Sequence, residues 1–473
     1  MNRHDISRKN LAPVHDPSMP DLGEVLALTL PQMGLMLCHL AISMTDIWAA
    51  GMLGAEAQAS VGVVAQIFTL LMLLTSLIGS GCMATVSQSL GAGLERRAHR
   101  YAGLIILLSA GGGSCVAVAA LCAGPALLLM MGIQEELRPV LSVFYTAYCC
   151  QLPFYYVLIM INSIFRAHKK VLLPVLTVFG MALANGIGDM GFGLGFWGMP
   201  AFGAAGVAWT SFTTAVLGLG ANVALAVRFS LLSRFSFAPW KWCRRAMPYI
   251  FRVGVPAAAG QIIMQAGSLV TLAAVNALPA GSTAVLAGMS LGARVHSFLM
   301  FPLGAFNMSM TILGGHLLGA GKNTVLFAFG KKAAAIAGLA LILPSALLWL
   351  LREPAVSLFS GEPEVIAQAS DYLLFACLGG PFAGMMGIFH GLFAGAGATA
   401  LSCRIGAVTC WIIAIPLAWT GGILLGWGAL GIYAAGLAAQ VSGAVWSALA
   451  FRQKKWLEFG MKGRQKFRKP LEA

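Results

Sequence analysis

Twelve runs of about 20 predominantly apolar residues occupy most of this sequence. A run of that length lets an α-helix cross the hydrocarbon core of a bilayer, which is about 30 Å thick. Hydrophobic residues make up 59% of the chain and charged residues 10%, against about 25% charged in soluble domains. We therefore expect an all-α membrane protein with twelve transmembrane helices, near residues 24–50, 57–82, 99–122, 139–164, 171–193, 203–227, 247–276, 282–310, 328–351, 369–395, 403–425 and 428–451.

The segment before the first apolar run, MNRHDISRKNLAPVHDPSMPD, is polar and lacks the short apolar core of a cleavable signal. We expect it to be a disordered cytoplasmic tail. The ten cysteines lie mostly inside apolar runs and form no CxxC pair, so the sequence indicates neither a disulfide framework nor a zinc site. No cofactor is expected.

The connections between the predicted spans alternate between basic and non-basic. Lys and Arg are concentrated in cytoplasmic connections of membrane proteins, so both termini are predicted to be cytoplasmic, in a multi-pass protein of the plasma (inner) membrane. This topology accounts for the net charge of +14 without a nucleic-acid partner. The basic residues follow spans two, four, six, eight and ten: Arg96, Arg97, Arg100, Arg166, Lys169, Lys170, Lys241, Arg244, Arg245, Lys322, Lys331, Lys332 and Arg404.

The two halves of the chain share short stretches of sequence. SLGAG at 89–93 returns as LLGAG at 317–321, and LPF at 152–154 returns as GPF at 380–382, both at a shift of 228 residues. Six spans are an even number, so the halves insert in the same orientation and leave a central cavity between them, as in many transporters. Duplicated channels and enzymes share this pattern. We expect a monomer with a cytoplasmic tail, an N-lobe, a linker, a C-lobe and a basic tail at 1–23, 24–228, 229–246, 247–451 and 452–473.

Two carboxylates fall inside the predicted spans of the first half, Asp46 in span one and Asp189 in span five, at similar depths. A carboxylate near the bilayer centre costs about 2.5 to 3.5 kcal/mol on insertion scales, so such residues are usually functional. Asn185 lies one helical turn before Asp189, and Thr210 of span six reaches the same level. The repeat places Leu417 opposite Asp189, so the second half has no matching acid.

Two acids close together in a low dielectric cannot both ionise cheaply, so we predict that the pair binds a proton or shares a Na⁺ ion. The candidate ion-coupling residues, which are also the possible Na⁺ ligands, are Asp46, Asn185, Asp189 and Thr210. A structural hydrogen-bonding role for Asp46 is the alternative. Further polar side chains could line the cavity or relay protons, although packing roles compete for each of them: His39, Ser43, Tyr148, Gln151, Tyr155, Asn162 and Arg294. For Arg294 we favour the structural role.

Several stretches resemble the bacterial multidrug and toxic compound extrusion (MATE) family, and the resemblance extends over nearly the whole chain. They are LTLPQMGLMLCHLAISMTDIWAAGMLG (28–54), GSGCMATVSQSLGAGLERRAHR (79–100), ANGIGDMGFGLG (184–195) and GAAGVAWTSF (203–212). The resemblance implies two six-helix lobes and export of cationic or amphiphilic compounds driven by proton or sodium entry. It also implies that Asp46, Asn185, Asp189 and Thr210 couple the ion and that Pro31 kinks the first helix.

The sequence departs from the family pattern at two places. Some members carry a glutamate early in span seven, where this chain has Met264. The turn after span four reads FRAHKK at 165–170 and keeps only Arg166 of the family's pattern. The first departure argues against ion coupling through the second lobe. With Asp46 and Asp189 as the deep charges, lipophilic cations are expected to be preferred over anions.

Other classes of membrane protein fit the sequence less well. A major facilitator transporter also has twelve spans, but GAGLERRAHR at 91–100 lacks the second glycine of its signature after span two. An intramembrane hydrolase would need a nucleophile with a base, or a metal motif such as HExxH, and we find neither, so no enzyme activity is expected. A passive channel does not need a titratable pair in one lobe. We therefore predict an antiporter that works by alternating access. The alternatives are a facilitator-type transporter and a transporter of another metabolite with the MATE fold.

Overall fold

The computed structural model describes residues 19–130, 135–233, 236–278 and 282–461. Within these ranges the chain is helical and contains no strand. The α-helices are α1 (Leu22–Leu53), α2 (Ala55–Leu73), α3 (Ser76–Gly91), α4 (Glu95–Met130), α5 (Arg138–Ala167), α6 (Leu172–Gly188), α7 (Ala204–Arg228), α8 (Trp240–Asn276), α9 (Ser282–Gly319), α10 (Asn323–Leu350), α11 (Arg352–Ser357), α12 (Pro363–Ala396), α13 (Thr399–Val408), α14 (Ile415–Trp419) and α15 (Gly428–Arg452).

Twelve helical segments in the described ranges are long and apolar enough to cross a membrane, which confirms the predicted number of spans. Two of them are interrupted by π-helical turns, Leu172–Gly193 at its end and Thr399–Leu424 at two places. Several helices extend well beyond the apolar runs; α8 begins at Trp240, inside the stretch that the sequence assigns to a linker. Helix α1 runs unbroken through Pro31.

The helices form two lobes. In the N-lobe, α5 packs against α4 and α7, and α1 packs against α6. In the C-lobe, α12 is central and packs against α9, α10 and α15. This arrangement of two six-span lobes is the fold class that the repeat in the sequence predicts.

The lobes meet at the end of the molecule where α1 begins and α3 ends, which we call the basic end because the Lys and Arg clusters lie there. From there α3 packs against α8 and α9 along its length, over about 21 Å from Gly91 at the basic end to Leu77. Glycines permit the contact, since a Cβ on Gly254 would overlap the carbonyl oxygen of Leu77, and one on Gly319 would overlap that of Gln88. The close approach therefore depends on residues without a side chain.

Hydrogen bonds join the lobes across this contact. Ser309 of α9 meets α1 through Gln32, whose Nε2 lies 2.9 Å from the Ser309 Oγ, and through the Thr29 hydroxyl, also at 2.9 Å. The Nε2 of Gln88 donates to the carbonyl of Gly395 in α12 at 2.8 Å. These buried groups thus have their partners in the opposite lobe.

The segment 455–461 after α15 runs beneath both lobes. Its Trp456 is 1% exposed and stacks on Phe451 of the C-lobe, with ring centroids 5.1 Å apart. A few residues later the Met461 N–H donates to the Oε1 of Gln88, at 2.9 Å, in the N-lobe. The segment therefore ties the lobes together at the basic end.

Toward the opposite end the same helix faces are exposed. In α8, Gln261, Gln265 and Ser268 follow Gly254 at helical spacing, so they continue the face that contacts α3, yet all three are exposed. The lobes consequently separate away from the basic end. We call the space between the two lobes, on the side away from the basic end, the cleft.

Replacing Gly254 by Ala should force the lobes apart along the α3–α8 contact, which extends to the basic end, because the added methyl group would meet the Leu77 carbonyl. Overpacking of this kind typically costs about 1 to 3 kcal/mol. Spin-labelled non-natural residues at Leu94 and Asn323, which leave the native cysteines in place, should report longer distances by electron–electron resonance. The control is Gly220→Ala in α7, where a Cβ would meet nothing within 4 Å. Identical distance distributions for wild type and Gly254→Ala would contradict the close packing described here.

Candidate functional site

Asp46 lies inside the N-lobe, near the end of α1 that is far from the basic end. Only 5% of its surface is exposed. Its carboxylate accepts a hydrogen bond from the Tyr148 hydroxyl of α5, at 2.8 Å from Oδ2, and from the Ser211 hydroxyl of α7, at 3.1 and 3.2 Å from the two oxygens. Three helices are thus joined through one carboxylate.

Asp189 lies where α6 gives way to the π-helical turn Asp189–Gly193, and it is 1% exposed. Turns of this kind occur frequently at functional sites. The Asn185 amide nitrogen contacts both carboxylate oxygens of Asp189, at 3.4 and 3.3 Å, and the Ser211 hydroxyl at 3.4 Å. Ser211 therefore connects the surroundings of the two acids, and the carboxyl groups of Asp46 and Asp189 lie close enough to interact electrostatically.

Glycine lets α6 and α7 approach closely at this point. A Cβ on Gly188 would overlap the Thr210 methyl group. The structure thus places Thr210 against Gly188, whereas the hydroxyl that meets Asp46 is that of Ser211. Depth in the membrane suggested Thr210, but the two residues point about 100° apart around the helix, and depth does not distinguish them.

The Asn185 side-chain oxygen is buried and has no hydrogen-bond partner among the described residues. It lies on the residue that contacts Asp189, so it adds a free oxygen to those of the two carboxylates and Ser211. Hard cations prefer such all-oxygen surroundings. The residues present therefore fit either a proton on the carboxyl pair or a small cation such as Na⁺.

The predicted residues His39 and Tyr155 form a second contact beside the acid pair. The Tyr155 hydroxyl lies 3.1 Å from His39 Nδ1. Phe68 of α2, which the sequence analysis did not single out, meets the rings of Tyr148 and Tyr155 edge-on, with centroids 5.2 and 5.6 Å apart. One apolar ring therefore packs against both the tyrosine that binds Asp46 and the tyrosine that contacts His39.

Asn162 belongs to another polar group. Its side-chain oxygen accepts from Asn222 of α7 at 2.9 Å, and the Thr177 hydroxyl of α6 donates to Asn222 at 2.7 Å. Of the remaining predicted residues of this lobe, Ser43 is exposed, and Gln151 is buried with an Oε1 that has no partner in the described residues. The polar residues of the N-lobe thus divide into separate groups.

The C-lobe has different side chains at the corresponding places. Aligning Pro31 with Pro256 places Thr271 opposite Asp46, and the Thr271 hydroxyl bonds only within its own helix, to the Gly267 carbonyl. Met264 is exposed. The sequence analysis overlooked one acid here: Asp371 lies in α12, partly buried and near Arg352. The second half therefore does contain a carboxylate within a spanning helix, although it lies near the helix start.

Two six-span lobes with a carboxylate pair buried in one of them are the architecture of a membrane transporter. Comparison with known proteins specifies the family. The MatE family model matches residues 31–189 and again residues 256–420, one match in each lobe and together more than half of the chain. This chain belongs to the MATE family of multidrug efflux transporters.

Several relatives match this chain over most of its length. The uncharacterized transporter YisQ of Bacillus subtilis is 24% identical over 419 residues, which span 85% of this chain and 88% of YisQ. The probable multidrug resistance protein NorM of Pseudomonas aeruginosa is 26% identical over 469 residues, 93% of this chain and 90% of that protein. The crystal structure of the Vibrio cholerae MATE transporter VcmN in the bent form superposes with a TM-score of 0.85 at 19% identity, over 94% of this chain and 98% of VcmN.

Tyr148 and Ser211 should be energetically coupled, because both donate to the Asp46 carboxylate. We expect the effects of Tyr148→Phe and Ser211→Ala on the free energy of unfolding to deviate from additivity by about 0.5 to 3 kcal/mol, as for neighbours in one network. Equilibrium unfolding of the four variants in detergent measures this. The control cycle pairs Tyr148→Phe with Thr177→Val, from the separate Asn222 group, and should be additive within about 0.5 kcal/mol. Additivity in both cycles would contradict a shared carboxylate.

Proposed function

We propose that this protein is an antiporter in which inward movement of H⁺ or Na⁺ drives export of cationic or other amphiphilic compounds by alternating access. The observation that supports this most directly is the burial of Asp46 and Asp189 beside each other, linked through Ser211 and Asn185. The basic end is taken to be cytoplasmic from the distribution of Lys and Arg. The lobes are then closed toward the cytoplasm and open to the outside.

The acid pair needs a positive charge. Two neighbouring carboxylates repel each other strongly where water is scarce, and each loses hydration on burial. One proton shared by the pair, or one Na⁺ held by both with the free oxygen of Asn185, removes this repulsion. An entering cation is therefore stabilised electrostatically most strongly at this pair.

Helix α1 connects the ion site to the lobe contact. Gln32, which meets Ser309 at the basic end, lies 14 residues before Asp46 on the same helix, about 21 Å along its axis. A change in how α1 packs around Asp46 is thereby transmitted to the hydrogen bonds that close the lobes. Ion binding that favours one packing of α1 shifts the equilibrium between the state open to the outside and the state open to the cytoplasm.

A positively charged substrate competes with the coupling ion. Filling the cleft with one positive charge weakens binding of a second through the low-dielectric interior, even when the two occupy different positions. Exchange follows, because arrival of the ion favours departure of the substrate. This is the physical basis on which we place cationic amphiphiles among the substrates.

Asp46→Asn should abolish gradient-driven export while the protein still folds and inserts, because the amide keeps the shape of the side chain and removes its charge. Purified protein in liposomes, with a fluorescent dye and an imposed gradient of H⁺ or Na⁺, measures this and shows which ion drives transport. Glu56→Gln, in the exposed first turn of α2, is the control and should transport normally. Full export by Asp46→Asn would overturn the assignment of this site. Ionic current without substrate movement would instead indicate a channel.

A further inference from the structure

Helix α9 borders the cleft. It contains one residue that is Arg, Lys, Asp or Glu, and this residue is Arg294. Helix α9 starts at Ser282, opposite the basic end. Arg294 lies twelve residues after this start, about 18 Å along the helix axis. Its side chain is exposed. An arginine this far along a spanning helix is costly in lipid, so its surroundings decide its role.

Arg294 is on the face of α9 that is turned toward the N-lobe. Met308 and Ser309, which contact Arg166 and Gln32 of that lobe, follow Arg294 after four helical turns and share its face. The opposite face of α9 packs on α12, where a Cβ on Gly292 would meet Tyr372. Arg294 is therefore directed into the cleft, where water can solvate its guanidinium.

The guanidinium has no hydrogen-bond, ion-pair or ring partner among the described residues. The one side-chain hydrogen bond that Arg294 takes part in there is accepted by its backbone carbonyl, from the Ser297 hydroxyl. On the same side of the cleft, the neighbouring helix α8 presents uncharged polar groups at Gln261, Gln265 and Ser268. The five donor N–H groups of an arginine in such a place remain available to a ligand.

The two acids of the ion site do not counterbalance this charge at the surface of the cleft. Asp46 and Asp189 are 5% and 1% exposed and point into the N-lobe, toward Tyr148, Ser211 and Asn185. A substrate in the cleft therefore meets a positive guanidinium directly, and the carboxylates only from beneath the surface. This differs from the expectation that the acids alone set the charge preference.

We propose that Arg294 is a specificity-determining residue that binds an acidic group of the substrate, so that amphiphiles carrying a carboxylate, zwitterions above all, are preferred over the same compounds without it. This rests on the proposed function, because it takes the cleft as the substrate pathway. The planar guanidinium binds a carboxylate through two parallel hydrogen bonds. A zwitterion also retains a cationic group that competes with the coupling ion.

The test uses two dyes that differ at one group. Rhodamine 110 carries a free carboxylate, and rhodamine 123 is its methyl ester. Fluorescence polarisation with purified protein in detergent, without any ion gradient, gives their dissociation constants. Hydrogen bonds to charged groups contribute about 1.5 to 3 kcal/mol, so wild type should bind the acid at least about tenfold more tightly than the ester.

Arg294→Gln should reduce this ratio to near one by weakening binding of the acid, with little effect on the ester. Arg294→Lys should keep part of the preference, since it retains the charge but loses the two-pronged geometry. The control is Arg252→Gln, which removes an exposed arginine that precedes the tight α8–α3 contact at Gly254 and so lies outside the cleft; it should leave the ratio unchanged. High salt should diminish the preference in wild type.

The outcomes separate this proposal from the proposed function. Equal binding of the two dyes to wild type, binding of neither, or an undiminished ratio in Arg294→Gln would overturn the role of Arg294. None of these bears on ion coupling, which is judged from gradient-driven export by Asp46→Asn. Conversely, Asp46→Asn should retain the preference for the acid even though its export is lost.

Discussion

Burial of two carboxylates inside the N-lobe is the constraint on which the rest of this structure depends. A carboxylate excluded from water is tolerated only where donors surround it, and the donors come from different helices: Tyr148 from α5, Asn185 from α6 and Ser211 from α7. Satisfying Asp46 therefore fixes how α1 packs within its lobe. Gly188 provides the close approach of α6 and α7 that brings these donors together.

The fold could be predicted from the sequence because the bilayer limits the possible structures. Each span needs its backbone hydrogen bonds within the helix and an apolar surface of fixed length, so twelve apolar runs predict twelve helices. The helix ends could not be predicted in the same way. An apolar run ends where the membrane ends, whereas a helix such as α8, which begins at Trp240, continues into the aqueous region.

The site could be predicted in part. Asp46, Asn185 and Asp189 stand out because a charge or amide inside a span is costly, and the structure brings these three together. Ser211 was missed because neighbouring residues of a helix differ in direction rather than in depth. Asn162 and Tyr148 were both expected to line the cavity or relay protons, but 14 residues separate the two by about 21 Å along α5, too far for one polar cluster. A shared helix face does not bring two residues into one cluster when several helical turns separate them.

The two lobes are more alike in their backbone structure than in their buried polar side chains. The family model matches both halves, and π-helical turns occur in the fifth span and in its counterpart at Thr409–Ala414 and Thr420–Leu424. The acid of the first lobe is replaced by Leu417 in the second. Irregular turns therefore belong to the duplicated architecture, while the buried charge belongs to one copy. On the proposals above, the N-lobe binds the ion and the C-lobe, through Arg294, selects the substrate.

The energetics of the lobe contact are compatible with control by a single ion. The hydrogen bonds across the basic end, from Thr29, Gln32 and Gln88, join neutral groups, and such bonds contribute about 0.5 to 1.5 kcal/mol each. Moving a two-state equilibrium from 1:99 to 99:1 requires about 5.5 kcal/mol of differential binding. Relieving the repulsion between two buried carboxylates can supply several kcal/mol. A contact made mainly of bonds between neutral groups and of glycine packing, with the Arg166 guanidinium donating only to the uncharged sulfur of Met308, is thus weak enough for one ion to open. Buried ion pairs across the same contact would hold it closed.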